Sequence, residues 1–161
     1  MSSIDQVAVV VGGLDASMER YWLQFGIGPW EVYTYGPHRL STMTFRGAEH
    51  PYVMKLALAM VGSTQYELIE PLEGPSTYHE FLAQRGEGLH HLGYYVADID
   101  AEIARMDALG YPLLQSGRGF GFDGDGAYAY FDSAHGLGCI VEAISPPGQM
   151  PPAEYVYPRG V

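Results

Sequence analysis

The chain has 161 residues, 47% of them apolar and 17% charged, which is one domain's length with enough apolar material for a core, and this excludes a disordered segment. Nineteen acidic against eight basic residues leave a net charge of −11, a balance that argues against nucleic acid and anionic membrane surfaces as partners. The longest apolar run, LALAMV at 56–61, is far short of the roughly 20 residues of a membrane-spanning helix, and the single cysteine, Cys139, excludes an internal disulfide.

In chain order, the start MSSIDQ has no basic segment and no long apolar stretch, so no signal peptide is expected and a reducing cytoplasm is the expected compartment. Residues 4–11 are β-branched and apolar and predict a strand. Asp15 stands where an N-cap would, and Met18, Tyr21, Trp22 and Phe25 then space as one helical face that closes at Gly26. Three strands follow at about 29–35, 40–47 and 53–71, the last holding a hairpin around Gly62-Ser63. STYHEFLAQRG at 76–86 predicts a linking helix. A second strand and helix come next: Asp100 is the expected cap, Ile99, Ile103, Met106 and Leu109 the apolar face, and Gly110 the stop. Strands at about 112–116, 126–132 and 138–144 complete the pattern, with the glycine-rich GRGFGFDGDG at 117–126 read as a loop or hairpin. From Pro146 the chain carries five prolines and should be extended.

The two halves echo each other. At an offset of 85, Val11 meets Val96, Asp15 meets Asp100, Ala16 meets Ala101 and Arg20 meets Arg105. At an offset of 75, YELIEP at 66–71 meets VEAISP at 141–146, so Glu67 meets Glu142. The chain therefore reads as a single α+β domain of two βαβββ modules, about 4–75 and 87–146, joined by the 76–86 helix and followed by a tail at 147–161.

The repeat brings four polar residues into apolar strands. Strand residues alternate faces, so Gln6 travels with Ala8 and Val10, and His91 with Leu89, Gly93 and Tyr95. Glu67 and Glu142 occupy matching places in the two closing strands. Taken singly, a strand glutamate is solvated or met by arginine. Packed about a pseudo-twofold axis, the four converge on one concave face. Two buried carboxylates repel and are costly, and one imidazole does not neutralise both. A divalent cation does, and oxygen donors with one imidazole suit Co, Ni, Zn, Mn or Mg. His90 is expected to point away from this site by strand parity. Cys139 is expected to be a buried filler.

The stretch HEFLAQRGEGLHHLGYYVADIDAEIARMDALGY at 79–111, with AYFDSAHGLGCIVEAI at 129–144 and the opening IDQVAVVVGGLDASMERYWLQFGIGPW, resembles the vicinal oxygen chelate superfamily of glyoxalase I, methylmalonyl-CoA epimerases, extradiol dioxygenases and bleomycin-resistance proteins. It looks most like the epimerases, and least so over 36–55. The resemblance implies paired βαβββ modules forming a half-barrel cleft, and a homodimer. It places the family's metal ligands on Gln6, Glu67, His91 and Glu142. One histidine in that set disfavours ring cleavage with O₂, and the two carboxylates disfavour a purely sequestering protein.

The expected activity is a metal-dependent isomerase, epimerase or lyase acting on a small carbonyl substrate through an enolate. Glu142 and Glu67 are the candidate bases, and the resemblance suggests Glu49 as a second one. The substrate is open between an acyl-CoA and an aromatic or polyketide-like compound. Trp30, Tyr33, Tyr35, Phe120, Phe122, Tyr128 and Tyr130 would wall the latter, or else fill the half-barrel. A non-catalytic binder of the same fold is the alternative, and a dioxygenase a weaker one.

Overall fold

Two strands built alike meet at the centre of an eleven-stranded sheet. The computed structural model describes residues 3–160; Met1 and Ser2 of the start and Val161 of the tail lie outside the described residues. Strands β1 (Gln6–Val10) and β7 (Gly88–Tyr95) pair antiparallel. Each takes its own module's closing strand as a parallel neighbour: β6 (Thr64–Glu73) lies beside β1, and β10 (Ile140–Ser145) beside β7. β5 (Val53–Val61) and β2 (Trp30–Tyr35) complete one side, and β9 (Gly126–Phe131) and β8 (Leu113–Phe120) the other. The order β2-β5-β6-β1 is thus mirrored by β8-β9-β10-β7 across the central seam.

The outer edges are covered reciprocally. A hairpin of β3 (Thr42–Phe45) and β4 (Ala48–Glu49), from the first half of the chain, adds to β8 in the second. The tail strand β11 (Tyr155–Tyr157) returns from the second half to add to β2 in the first. Each long edge ladder is therefore satisfied by chain from the other half.

The strand faces sort by parity. On the convex side, Val9, Val11, Trp30, Val32 and Leu68 pack under helix α1 (Leu14–Phe25), and Val141, Ala143 and Phe131 pack under α3 (Ile99–Ala108). On the concave side lie Ala8, Val10, Tyr33, Tyr35, Ile69 and Tyr130. Helix α2 (Thr77–Arg85) contributes buried Tyr78 to this concave cluster. No helix among the described residues is long and apolar enough to cross a membrane.

Several sequence expectations shift. The N-caps sit two residues before Asp15 and Asp100. Asp98 caps α3, its side chain accepting from the Asp100 and Ala101 N–H groups. Gly13 occupies the α1 cap and offers no side chain; Glu70 accepts from Leu14 N–H at 3.0 Å instead. Phe25 and Leu109, at the C-terminal ends of α1 and α3, stand exposed, whereas Met18 and Met106 of the expected faces are buried. The expected 112–116 strand runs on to Phe120, leaving only residues 121–125 as the hairpin turn. Its glycines are there for packing: a Cβ at Gly117 would lie 2.5 Å from the Tyr128 ring, and one at Gly126 would lie 2.6 Å from Phe120. Trp30 lies on the convex face, opposite Tyr33 and Tyr35, and Phe122 is exposed. Cys139 is half-buried rather than buried, just before β10.

Candidate functional site

Register builds the site. Gln6 on β1 stands across from Gly93 on β7, and Gly93 across from Glu142 on β10. A Cβ at Gly93 would lie 3.0 Å from Gln6, so glycine keeps that row open. One step along, Ala8 pairs with both His91 and Glu67, which sets those two side chains at one level on the concave face. Gln6, Glu67, His91 and Glu142 are all buried.

The four meet at His91 Nε2. It lies 3.1 Å from Gln6 Oε1, 2.9 Å from Glu142 Oε2 and 3.6 Å from Glu67 Oε2. The Glu142 contact is close but not aligned as a hydrogen bond, and Glu142 Oε2 is buried without a partner. Gln6 Nε2 donates to Gln65 Oε1 at 2.8 Å, which turns the Gln6 oxygen inward. Among the described residues, no three His, Cys, Asp or Glu side chains are already spread around a metal position. They are drawn together on the imidazole instead.

The electrostatics follow from burial. Burial pushes the Glu142 carboxyl up to about 8, with the Tyr130 hydroxyl pulling weakly the other way. Burial, and then the charge of Glu142, push Glu67 well above the usual carboxylate range. Burial pushes His91 down to about 3, so its ring is neutral. A neutral imidazole between two carboxylates compensates neither. The cleft lining contains no lysine or arginine.

The unpartnered Glu142 oxygen and the uncompensated pair of carboxylates make a donor set whose chemistry suits a divalent cation. The Gln6 oxygen, both carboxylates and His91 Nε2 are the residues that would hold it. For His91 to offer a lone pair at Nε2, its proton must sit on Nδ1. His90 Nδ1 lies 2.9 Å from that atom, ready to accept, and His90 Nε2 lies 3.1 Å from Thr77 Oγ1. The Thr77 N–H in turn donates to the buried Gln115 oxygen at 2.8 Å.

Sequence reasoning did not assign His90, Gln65, Thr77 or Gln115 to the site. His90 faces none of the carboxylates, yet it is buried beside His91 rather than on the opposite face. Glu49 goes elsewhere: it is exposed on β4 and borders a shallow depression with Pro37, Leu40 and His50, outside the cleft. The signal for Gln65 was available in its place two residues before Glu67. The bulge that turns His90 was not.

Gln6, Glu67 and Glu142, with His91 buried behind them, floor a cleft of about 200 Å³ shared by both modules, with Met54, Leu56 and Leu58 on one side and Phe120, Tyr128 and Tyr130 on the other. Pro146, Pro147 and Met150 of the tail line its rim.

Residues 5–131 match the family described as the Glyoxalase/Bleomycin resistance protein/Dioxygenase superfamily. The chain is 28% identical over 95 residues to the uncharacterized protein YqjC of Bacillus subtilis, a match spanning 59% of this chain and 67% of that protein. Among solved structures, methylmalonyl-CoA epimerase from Mycobacterium tuberculosis superposes with a TM-score of 0.65 at 23% identity, covering 91% of each chain. A variant of the Streptomyces coelicolor methylmalonyl-CoA epimerase, in complex with 2-nitronate-propionyl-CoA, gives 0.68 at 20% identity, covering 94% of this chain and 99% of that one.

Proposed function

The chain belongs to the Glyoxalase/Bleomycin resistance protein/Dioxygenase superfamily, and from that premise we propose that it is a metal-dependent isomerase or epimerase that moves a proton next to a substrate carbonyl. The observation that carries this reading is the pair of buried carboxylates, Glu67 and Glu142, closing on a neutral buried His91 with one Glu142 oxygen unpartnered. A binder of apolar ligands gains nothing from two such groups, each costing several kcal/mol without compensation. The likeness of the fold to methylmalonyl-CoA epimerases supports the same class of chemistry.

Gln6, Glu67, His91 and Glu142 would hold the ion, any of Co, Ni, Zn, Mn or Mg by donor type. The chemistry a bound ion would supply is Lewis-acid polarisation of the substrate oxygen. The chain's own residues do the rest. With the ion bound, His90 and Thr77 would hold the His91 proton on Nδ1 and leave Nε2 bare. The aromatic and aliphatic walls exclude water and hold the carbonyl compound over the tetrad. Glu142 takes the α-proton at a carboxylate oxygen and returns it. Its neighbour Tyr130 accepts from the Tyr78 hydroxyl at 2.9 Å, which leaves the Tyr130 proton free to point at that carboxylate. The resemblance to the epimerases also carries a homodimer, checked by sedimentation.

The test is solvent deuterium exchange into the α-position of a carbonyl substrate by metal-loaded protein. Exchange is lost on chelation, and Glu142→Gln slows it about 10²–10⁴-fold, the usual cost of removing a general base. Exchange that survives both chelation and Glu142→Gln refutes the reading.

A further inference from the structure

We propose that the cleft takes an uncharged, ring-bearing carbonyl compound rather than an acyl-CoA. This rests on the function proposed above and names the substrate class of that site.

The shape of the cleft argues first. Rings run continuously from the tetrad to the rim: Tyr130 lies 4.8 Å from His91, Tyr128 lies 5.5 Å from Tyr130, Phe120 lies 6.2 Å from Tyr128, and Tyr35 lies 5.6 Å from Phe120, all centroid to centroid. Such a wall rewards a flat aromatic ligand through offset and edge contacts. The volume agrees, because about 200 Å³ exceeds the roughly 150 Å³ that accommodates a benzene ring by about the size of a short carbonyl chain.

Charge argues second and independently. Phosphates are bound by arginine forks, lysines or helix N-termini. The charged side chains lining this cleft are Glu31, Glu67 and Glu142. Glu31 stands exposed at the mouth, accepting from the Tyr33 hydroxyl at 3.0 Å. Arg39 borders an adjoining depression with Tyr35 and Phe120, but Glu154 engages it at 3.3 Å. A net charge of −11 adds long-range repulsion of polyanions.

The experiment measures binding of two probes to the full chain loaded with Co²⁺: 1-phenyl-1,2-propanedione, and methylmalonyl-CoA at the same ionic strength. Uptake of Co²⁺ is followed separately by calorimetry. The dione should bind at least about 10-fold more tightly. Phe120→Leu should weaken the dione about 3- to 10-fold, the scale of one aromatic contact. Glu31→Lys, at the exposed mouth, should tighten methylmalonyl-CoA several-fold relative to the dione. Methylmalonyl-CoA binding as tightly as the dione, or neither probe binding, overturns the substrate class. Co²⁺ uptake with CoA preferred overturns that class alone. Absence of Co²⁺ uptake with the dione still preferred overturns the metal-dependent function and leaves the substrate class standing.

Discussion

His90 Nδ1 lies 2.9 Å from His91 Nδ1, although consecutive residues of a strand should face opposite ways. The cause is a β-bulge. Ala8 pairs with His91 and Val9 with Leu89, so His90 is the extra residue of β7, and its ring turns to meet its neighbour edge-on. The outcome is a histidine behind a histidine, with Thr77 and Gln115 behind both. In the proposed site His90 would act as a positioning residue for His91.

His90→Leu leaves all four proposed ligands in place but removes the acceptor that would hold the His91 proton on Nδ1 when the ion is bound. Metal affinity should fall about 10–100-fold, the usual effect of losing such a supporting partner. Excess metal should restore activity, an outcome that a general packing defect would not give. Calorimetric titration with Co²⁺ and activity against metal concentration measure it.

The metal-free protein should lose stability as pH rises from 6.5 to 8. Glu142 and Glu67 are raised above their ordinary 4.5, so the folded state favours their protonated forms; that stabilisation is complete below 4.5 and is lost as pH climbs through the folded value, about 8 for Glu142. His91, lowered to about 3 from 6.5, works oppositely: its stabilisation is present above 6.5 and is lost as pH falls. The two slopes oppose each other between 4.5 and 6.5, and only the carboxylates act above. The fall should be on the order of 1–2 kcal/mol and should vanish with a divalent cation bound. Urea unfolding in chelator at the two pH values decides it, and a flat or rising stability refutes it.

Gly117→Ala should destabilise by about 1–3 kcal/mol through overpacking. The new methyl would lie 2.5 Å from the Tyr128 ring, whose hydroxyl is held at 2.6 Å by that of Tyr52 in the interior. Thermal unfolding should show a midpoint lowered by several degrees. Gly62→Ala provides the contrast: its left-handed φ of 64° makes any side chain strained, but no atom lies near, so Tyr128 and the cleft are undisturbed.

Glu49→Gln should leave proton exchange within about twofold of the unaltered protein. The side chain is exposed at the end of β4, opposite Thr44, in a hairpin that pairs with β8 rather than lining the cleft. A loss approaching that of Glu142→Gln would show that the hairpin folds over the cleft during turnover and that two bases act.

Whatever depends on local periodicity and on the repeat was legible in the chain alone. Alternation put Gln6, Ala8 and Val10 on one face of β1, and the matching offsets set Glu67 and Glu142 in equivalent strands. The family resemblance likewise carried the paired modules and the half-barrel. Other features depended on contacts between distant segments, which no local pattern encodes. Glu70 rather than Asp15 serves the start of α1, because β6 happens to end beneath it. Glycines that read as a loop are strand residues whose missing side chains admit aromatic rings from the facing strand. Glu49 was carried to a sheet edge by a pairing with a strand some seventy residues away. His90 was turned inward by one unpaired residue in the β1–β7 ladder, and a single added residue in a register leaves no trace in hydrophobic alternation until both strands are laid side by side.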